Sequence, residues 1–278
     1  MIYLTFFCNI VIGQRDIPTD NLSYPALIIF KNGSSGSGFF LADSLNLYLV
    51  TAKHVLFKLQ TGKLRGDSAT VLKYSITDST EGEFRFELDL NSLLSGNNLR
   101  YHKNQDMALI YFASILNRNN EQKRELNFVP GIRIKDKSDI PFIGASISNL
   151  KKFDKVLVAN EVIIFGYPSS IGIKNIPQIE YNRPLLRKGI VAGINRKTKT
   201  LILDCPSYPG NSGGPVLEIE RNHSLGTINF KIIGIVSEYI PFLKKQTYQI
   251  QGLFSVDTSN SGYSVATPID SLFTLLNN

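Results

Sequence analysis

The residues best equipped for chemistry lie in Pro209-Gly210-Asn211-Ser212-Gly213-Gly214-Pro215. A serine set between glycines sits where the backbone can bend sharply and nothing bulky crowds the hydroxyl. Glycine ahead of the serine also leaves main-chain N–H groups able to point at a ligand. A hydroxyl beside converging N–H donors meets two needs of acyl transfer, a nucleophile and a hole for the oxyanion. Taken alone the run reads as a Gly/Pro turn between strands, and only residues elsewhere lift it above that.

Serine needs a base, usually a histidine oriented by a carboxylate. The chain has three histidines, His54, His102 and His223. His54 follows an apolar strand-like run, Tyr48-Leu49-Val50-Thr51-Ala52-Lys53, where a lone histidine would ordinarily be a packing residue. Asp106 leads into Met107-Ala108-Leu109-Ile110-Tyr111-Phe112, where a lone acid would be a strand-end cap. Asp67, Asp78 and Asp89 also fall between His54 and Ser212. The order His54, Asp106, Ser212 is that of the chymotrypsin-type triad. Gly210-Asn211-Ser212-Gly213-Gly214 also fits the G-x-S-x-G elbow of α/β-hydrolases. That fold needs an acid and then a histidine after the serine, and only His223, in a polar turn, follows Ser212.

Thr51-Ala52-Lys53-His54, Asp106-Met107-Ala108-Leu109 and Gly210–Pro215 resemble the three motifs of the trypsin/chymotrypsin-like serine peptidases. The bacterial branch with HtrA-type proteases and glutamyl endopeptidases is the most similar. Phe165-Gly166-Tyr167-Pro168, Lys188-Gly189-Ile190-Val191-Ala192-Gly193 and Gly234-Ile235-Val236-Ser237 resemble further segments of that branch, in the right order, so the likeness spans about residues 24–275. Together with the many short strands, the resemblance implies an all-β fold. Two six-stranded antiparallel β-barrels of chymotrypsin type would hold the site between them, with a short C-terminal helix. It implies a cofactor-free, metal-free serine endopeptidase acting on protein or peptide. His54 would be the base, Asp106 its orienting acid and Ser212 the nucleophile, with the N–H groups of Gly210 and Ser212 as oxyanion hole. Ser237 would contact the triad aspartate, and Ser207, Ser237, Glu238 and Tyr239 would meet substrate. A catalytically weak peptide-binding or chaperone-like module on the same fold is the other function class.

Asn211 stands where digestive enzymes carry the aspartate that pairs with a newly cut N-terminus. A neutral amide cannot make that ion pair, so activation by N-terminal cleavage is not expected. The pocket aspartate of trypsin would fall near Pro206, and the histidine of glutamyl endopeptidases at Val236. Both departures point to a small or medium apolar residue before the cut.

The elements that must position these residues follow from the rest of the chain. Its 278 residues are 43% hydrophobic with net charge +7, enough for a sizeable core. The scattered basic residues describe a solvated surface, not a nucleic-acid footprint. No run of eighteen apolar residues suggests a membrane span. Residues 1–14 resemble a signal peptide, implying secretion or a periplasmic location, the alternative being a first strand in a cytoplasmic protein. Cys8 and Cys205 do not make a disulfide framework. Strands are expected at Pro25–Phe30, Gly38–Ala42, Leu47–Thr51, Ala69–Ser75, Phe84–Leu88 and Met107–Phe112, within an N-terminal barrel spanning 20–115. Asn32–Gly38 reads as a turn. A polar linker is expected over 116–145. The second barrel, 146–278, should use Lys155–Ala159, Val162–Phe165, Leu186–Ile194, Thr200–Asp204, Pro215–Ile219, Ile228–Val236 and Gly262–Ala266, before a helix at Ile269–Leu276.

Overall fold

The computed structural model describes residues 23–74, 83–117, 124–136, 144–169, 176–181, 183–222, 224, 226–247 and 254–277. The leader expected at residues 1–14 lies outside them, as do Asp78 and His223.

The first half is one ten-stranded sheet of β1 (Pro25–Phe30), β2 (Ser35–Ala42), β3 (Asn46–Thr51), β4 (Ser68–Tyr74), β5 (Glu83–Asp89), β6 (Leu99–Tyr101), β7 (Ala108–Asn117), β8 (Arg124–Phe128), β9 (Ile132–Asp136) and β10 (Ala145–Ser146). Its path is β6-β7-β3-β2-β1-β4-β5-β9, with β8 on β7 and β10 parallel to β2. The six strands expected from sequence are contiguous within that path, as β7-β3-β2-β1-β4-β5. Four more strands extend the expected six. Two of these come from the stretch read as linker. There Leu126, Phe128, Ile132 and Ile134 alternate with polar residues and pack on the core, so the segment is sheet despite its polar flanks. The sheet curls until its two ends share side chains. Phe86 on β5 and Phe112 on β7 lie edge to face at 5.0 Å, with Phe128 packed on both.

The second half is a closed six-stranded barrel of β11 (Glu161–Gly166), β12 (Leu185–Asn195), β13 (Thr200–Asp204), β14 (Pro215–Asn222), β15 (Thr227–Thr247) and β16 (Phe254–Pro268), in the order β11-β12-β13-β16-β15-β14. Its interior is aliphatic, built from residues such as Val162, Ile164, Val191, Leu203, Val216 and Ile233. Lys155–Ala159 is not a strand. Leu157 and Val158 both face solvent, so the alternation that a half-buried strand needs is absent, and Ala159 turns back at φ 73°. Beyond the barrel, β15 and β16 continue as a paired ribbon from Pro241↔Asn260 to Thr247↔Phe254.

Among the described residues the α-helices are short: α1 (Lys53–Leu56), α2 (Leu90–Ser95) and α3 (Asp270–Leu276). The terminal helix falls where expected and buries Leu272 and Leu275. Asp89 starts α2 by accepting the Ser92 N–H at 3.0 Å, and six residues are too few to show a helical period in sequence. Among the described residues no helix is long and apolar enough to cross a membrane.

Candidate active site

His54 sits in α1, directly after β3. The register Thr51↔Ala108 sets the end of β3 beside the start of β7, and therefore His54 beside Asp106. Asp106 uses both carboxylate oxygens on this one residue. Its Oδ2 lies 2.6 Å from His54 Nδ1 and its Oδ1 accepts the His54 main-chain N–H at 2.8 Å. The pair fixes the ring and leaves Nε2 as the nitrogen free for a reacting group. The two side chains are about one-fifth exposed, 22% and 21%. The other candidate acids among the described residues are engaged elsewhere: Asp67 accepts from Asn91 Nδ2, and Asp89 caps α2.

The loop that delivers Asp106 is held from behind. His102 Nδ1 accepts the N–H groups of Asn104 at 3.2 Å and Gln105 at 2.9 Å. That needs a bare nitrogen, and burial, with the nearby Lys53 charge, pushes the imidazole below the ordinary histidine range. Lys53 Nζ in turn donates to the carbonyls of His102 and Lys103, at 3.2 and 3.3 Å.

Ser212 arrives from the second half and is pinned to the first. Ser37 N–H donates to the Ser212 carbonyl at 2.8 Å. Ser37 Oγ donates to the Gly210 carbonyl at 2.6 Å and accepts the Tyr167 N–H at 2.9 Å. Gly213, at φ 87°, passes so close that a Cβ there would lie 2.1 Å from the Ser37 carbonyl oxygen, 2.3 Å from Thr51 Oγ1 and 2.8 Å from Ala52 N. Only glycine lets the Ser212 loop reach the chain two residues before His54. Ser212 Oγ donates to the Ser237 carbonyl over 3.4 Å, and no hydrogen bond joins it to His54 among the described residues. Such bonds commonly tighten only when substrate is present.

The loop before Ser212 is also fixed. The Pro209 carbonyl accepts the Ser169 N–H at 2.8 Å. Because a peptide is planar and trans, the Gly210 N–H then faces the opposite way. Asn211 is buried, and its Oδ1 accepts the Tyr208 N–H at 3.1 Å. Neither Gly210 N–H nor Ser212 N–H has a main-chain acceptor among the described residues.

The residues expected to meet substrate differ in exposure. Glu238 and Tyr239 are exposed on β15, beyond its last pairing with β14 at Pro215↔Ile235. Ser237 is buried, and its hydroxyl lies 2.5 Å from Thr267 Oγ1, so it engages Thr267 and not Asp106 as the resemblance implied. Ser207 is buried too, with its carbonyl accepting Asn260 Nδ2 at 2.6 Å. Asn260 Oδ1 also accepts the Gly262 N–H at 2.9 Å. Asn260 thus ties the Ser207 stretch to the turn at Gly262, a role with no signal in sequence. Ser37 had one faint signal, the Gly/Ser run read as a turn. Its second part is the start of β2, where a Cβ on Gly36 would meet Val55 Cγ1 at 2.7 Å and one on Gly38 the Val50 carbonyl oxygen at 2.7 Å. Cys205 is a core thiol, which burial pushes up to about 11.

No curated protein matches the chain. Among solved structures, a thermostable serine protease AL20 from an extremophilic microorganism is similar over 94% of this chain and 97% of its own, at 12% identity and a TM-score of 0.51. Deg5 aligns over 92% of this chain and 88% of its own, at 19% identity and a TM-score of 0.49. The HtrA-type protease AlgW, solved with a tripeptide, aligns over 92% of this chain but 60% of its own, at 17% identity and a TM-score of 0.47. At the level of sequence pattern, residues 36–226 match the trypsin-like peptidase domain. That match takes in β2, the Asp106 loop and the serine loop together, and with it the chain belongs to the trypsin-like peptidases.

Proposed function

We propose that the protein is a serine endopeptidase working through His54, Asp106 and Ser212. The observation that carries this reading is the two-point grip of Asp106 on His54, on the strand end against which the Ser212 loop is packed. His54 Nε2 takes the Ser212 proton as Oγ attacks the peptide carbonyl. Asp106 holds the tautomer and balances the imidazolium that forms. The Gly210 and Ser212 N–H groups receive the oxyanion, each worth about 3–4 kcal/mol in the known protease case. His54 then protonates the leaving amine, and water repeats the sequence on the acyl-enzyme. Asn211 and Ser169 order the loop by neutral hydrogen bonds, so no buried ammonium is required.

The test is labelling with a fluorophosphonate, which needs an activated serine. Purified protein should label and Ser212→Ala should not. A peptide-binding module would leave both proteins unlabelled while binding peptide equally, and that result would remove the enzyme reading.

A further inference from the structure

The chain leaving α1 turns back on itself and brings a second cation to His54. Phe57 bridges Leu64, Lys58 N–H donates to the Lys63 carbonyl at 2.8 Å, and Arg65 N–H donates to the Leu56 carbonyl at 2.8 Å. This hairpin hangs the Arg65 guanidinium on the catalytic histidine's own backbone, with Nε donating to the His54 carbonyl at 2.6 Å. Its two terminal nitrogens have no acceptor among the described residues. Arginine's planar fork is then pre-set for a carboxylate, which it binds best through two parallel bonds.

The neighbouring sequence is mostly basic. Residues 51–66 carry Lys53, Lys58, Lys63 and Arg65 and no acid, and residues 97–105 add Arg100 and Lys103. The acids that directly follow these segments are Asp67, which accepts from Asn91 Nδ2, and Asp106, both of whose oxygens His54 occupies. Lys53 and Arg100 are spent on main-chain carbonyls. Arg65 remains as a half-buried, positioned cation with an open fork, and Lys58, Lys63 and Lys103 are exposed.

We propose that Arg65 reads a carboxylate on the leaving-group side of the substrate, so that the protein cuts before acidic residues. The side follows from the chemistry: His54 hands its proton to the departing amine, so the residues carrying that amine lie against His54 and what hangs from it. This is the far side of the cut from the pocket expected around Ser207 and Ser237. The inference rests on the serine-peptidase reading above.

The experiment uses quenched peptides identical except for Glu, Gln or Lys at the first or second residue after the cut, with fluorophosphonate labelling run in parallel. Wild type should favour Glu over Gln by about tenfold or more in kcat/KM. In Arg65→Gln that ratio should fall to within about twofold, and in Arg65→Glu the Lys peptide should overtake the Glu peptide. High salt should shrink the wild-type ratio, an arm needing no variant. Three outcomes would overturn the proposal: equal cleavage of Glu and Gln peptides by labelling-competent wild type, the same ratio in Arg65→Gln, or a Glu preference only before the cut. A uniform slowing of all peptides in Arg65→Gln would also overturn it and make Arg65 a support for His54 alone. Absent labelling and absent cleavage would instead sink the serine-peptidase reading.

Discussion

The two halves bury their cores with different chemistry and hold their functional residues in different ways. The first packs a cluster of aromatic rings, Phe40, Phe86, Phe112 and Phe128, inside a sheet that curls on itself. The second closes a barrel over small aliphatic side chains. His54 and Asp106 are joined by bonds made wholly within the first half. Ser212, by contrast, depends on contacts across to Ser37, Thr51 and Ala52. One half therefore holds a finished carboxylate–imidazole pair, and the other holds a serine whose place is set by the neighbour. Site geometry is then most sensitive at two kinds of position, the carboxylate of the pair and the groups that hold the barrel in shape.

The largest expected effect breaks the first half's pair. Asp106→Asn should lower peptide turnover by about four orders of magnitude, the loss known when this acid is made an amide in a related triad. The fold should survive, because the asparagine oxygen can still accept the His54 main-chain N–H. Steady-state kinetics and a thermal melt on the same sample decide it. Near-normal turnover would mean that the pair is not the working base.

What could be read beforehand divides along physical lines. The His54, Asp106 and Ser212 motifs were legible because each is a short run of fixed residue types in a known order, and six first-half strands because they are short apolar or aromatic runs bounded by Asn, Gly and Ser. The ribbon of β15 and β16 was not, since Glu238–Lys245 (Glu-Tyr-Ile-Pro-Phe-Leu-Lys-Lys) has no period of two. β8 and β9 hid between polar runs. Ser37, Asn260 and Thr267 act through hydrogen bonds to residues distant in sequence, and alone they look like ordinary turn or strand residues. Lys155–Ala159 misled because Val156, Leu157 and Val158 are apolar, yet only Val156 is buried.

Both halves also bury a charged side chain, and this sharpens the contrast. In the second, Lys151 Nζ lies 2.7 Å from Glu218 Oε2 and 2.5 Å from Glu220 Oε1, with the Glu218 side chain fully buried. Burial works against the ammonium, but the two carboxylates outweigh it and hold its pKa above the usual lysine value. Lys151→Met would strand Glu218 with only Asn160 Nδ2, at 2.7 Å, and the Leu157 N–H, at 3.4 Å, on its other oxygen. The expected cost is about 3–5 kcal/mol, the usual penalty for breaking a buried pair. Adding Glu218→Gln should recover most of it. A urea midpoint unchanged by Lys151→Met would show that the pair is not what closes this part of the barrel.

The same substitution in the first half tests a different property. Lys73 on β4 is 1% exposed. Its Nζ lies 5.5 Å from the centroid of the Phe84 ring, and burial pushes its pKa down to about 7. The unfolded chain keeps that proton until about pH 10.4. Between these values the unfolded state binds more protons than the folded one, so raising the pH strengthens the fold. Methionine keeps the length and removes the titrating group. Lys73→Met should therefore flatten the rise in stability between about pH 7 and about pH 10. Urea unfolding of the two proteins at about pH 6 and about pH 9 compares the two slopes. Equal slopes would mean that Lys73 is not the group that titrates, and the contrast between the halves would then rest on their cores alone.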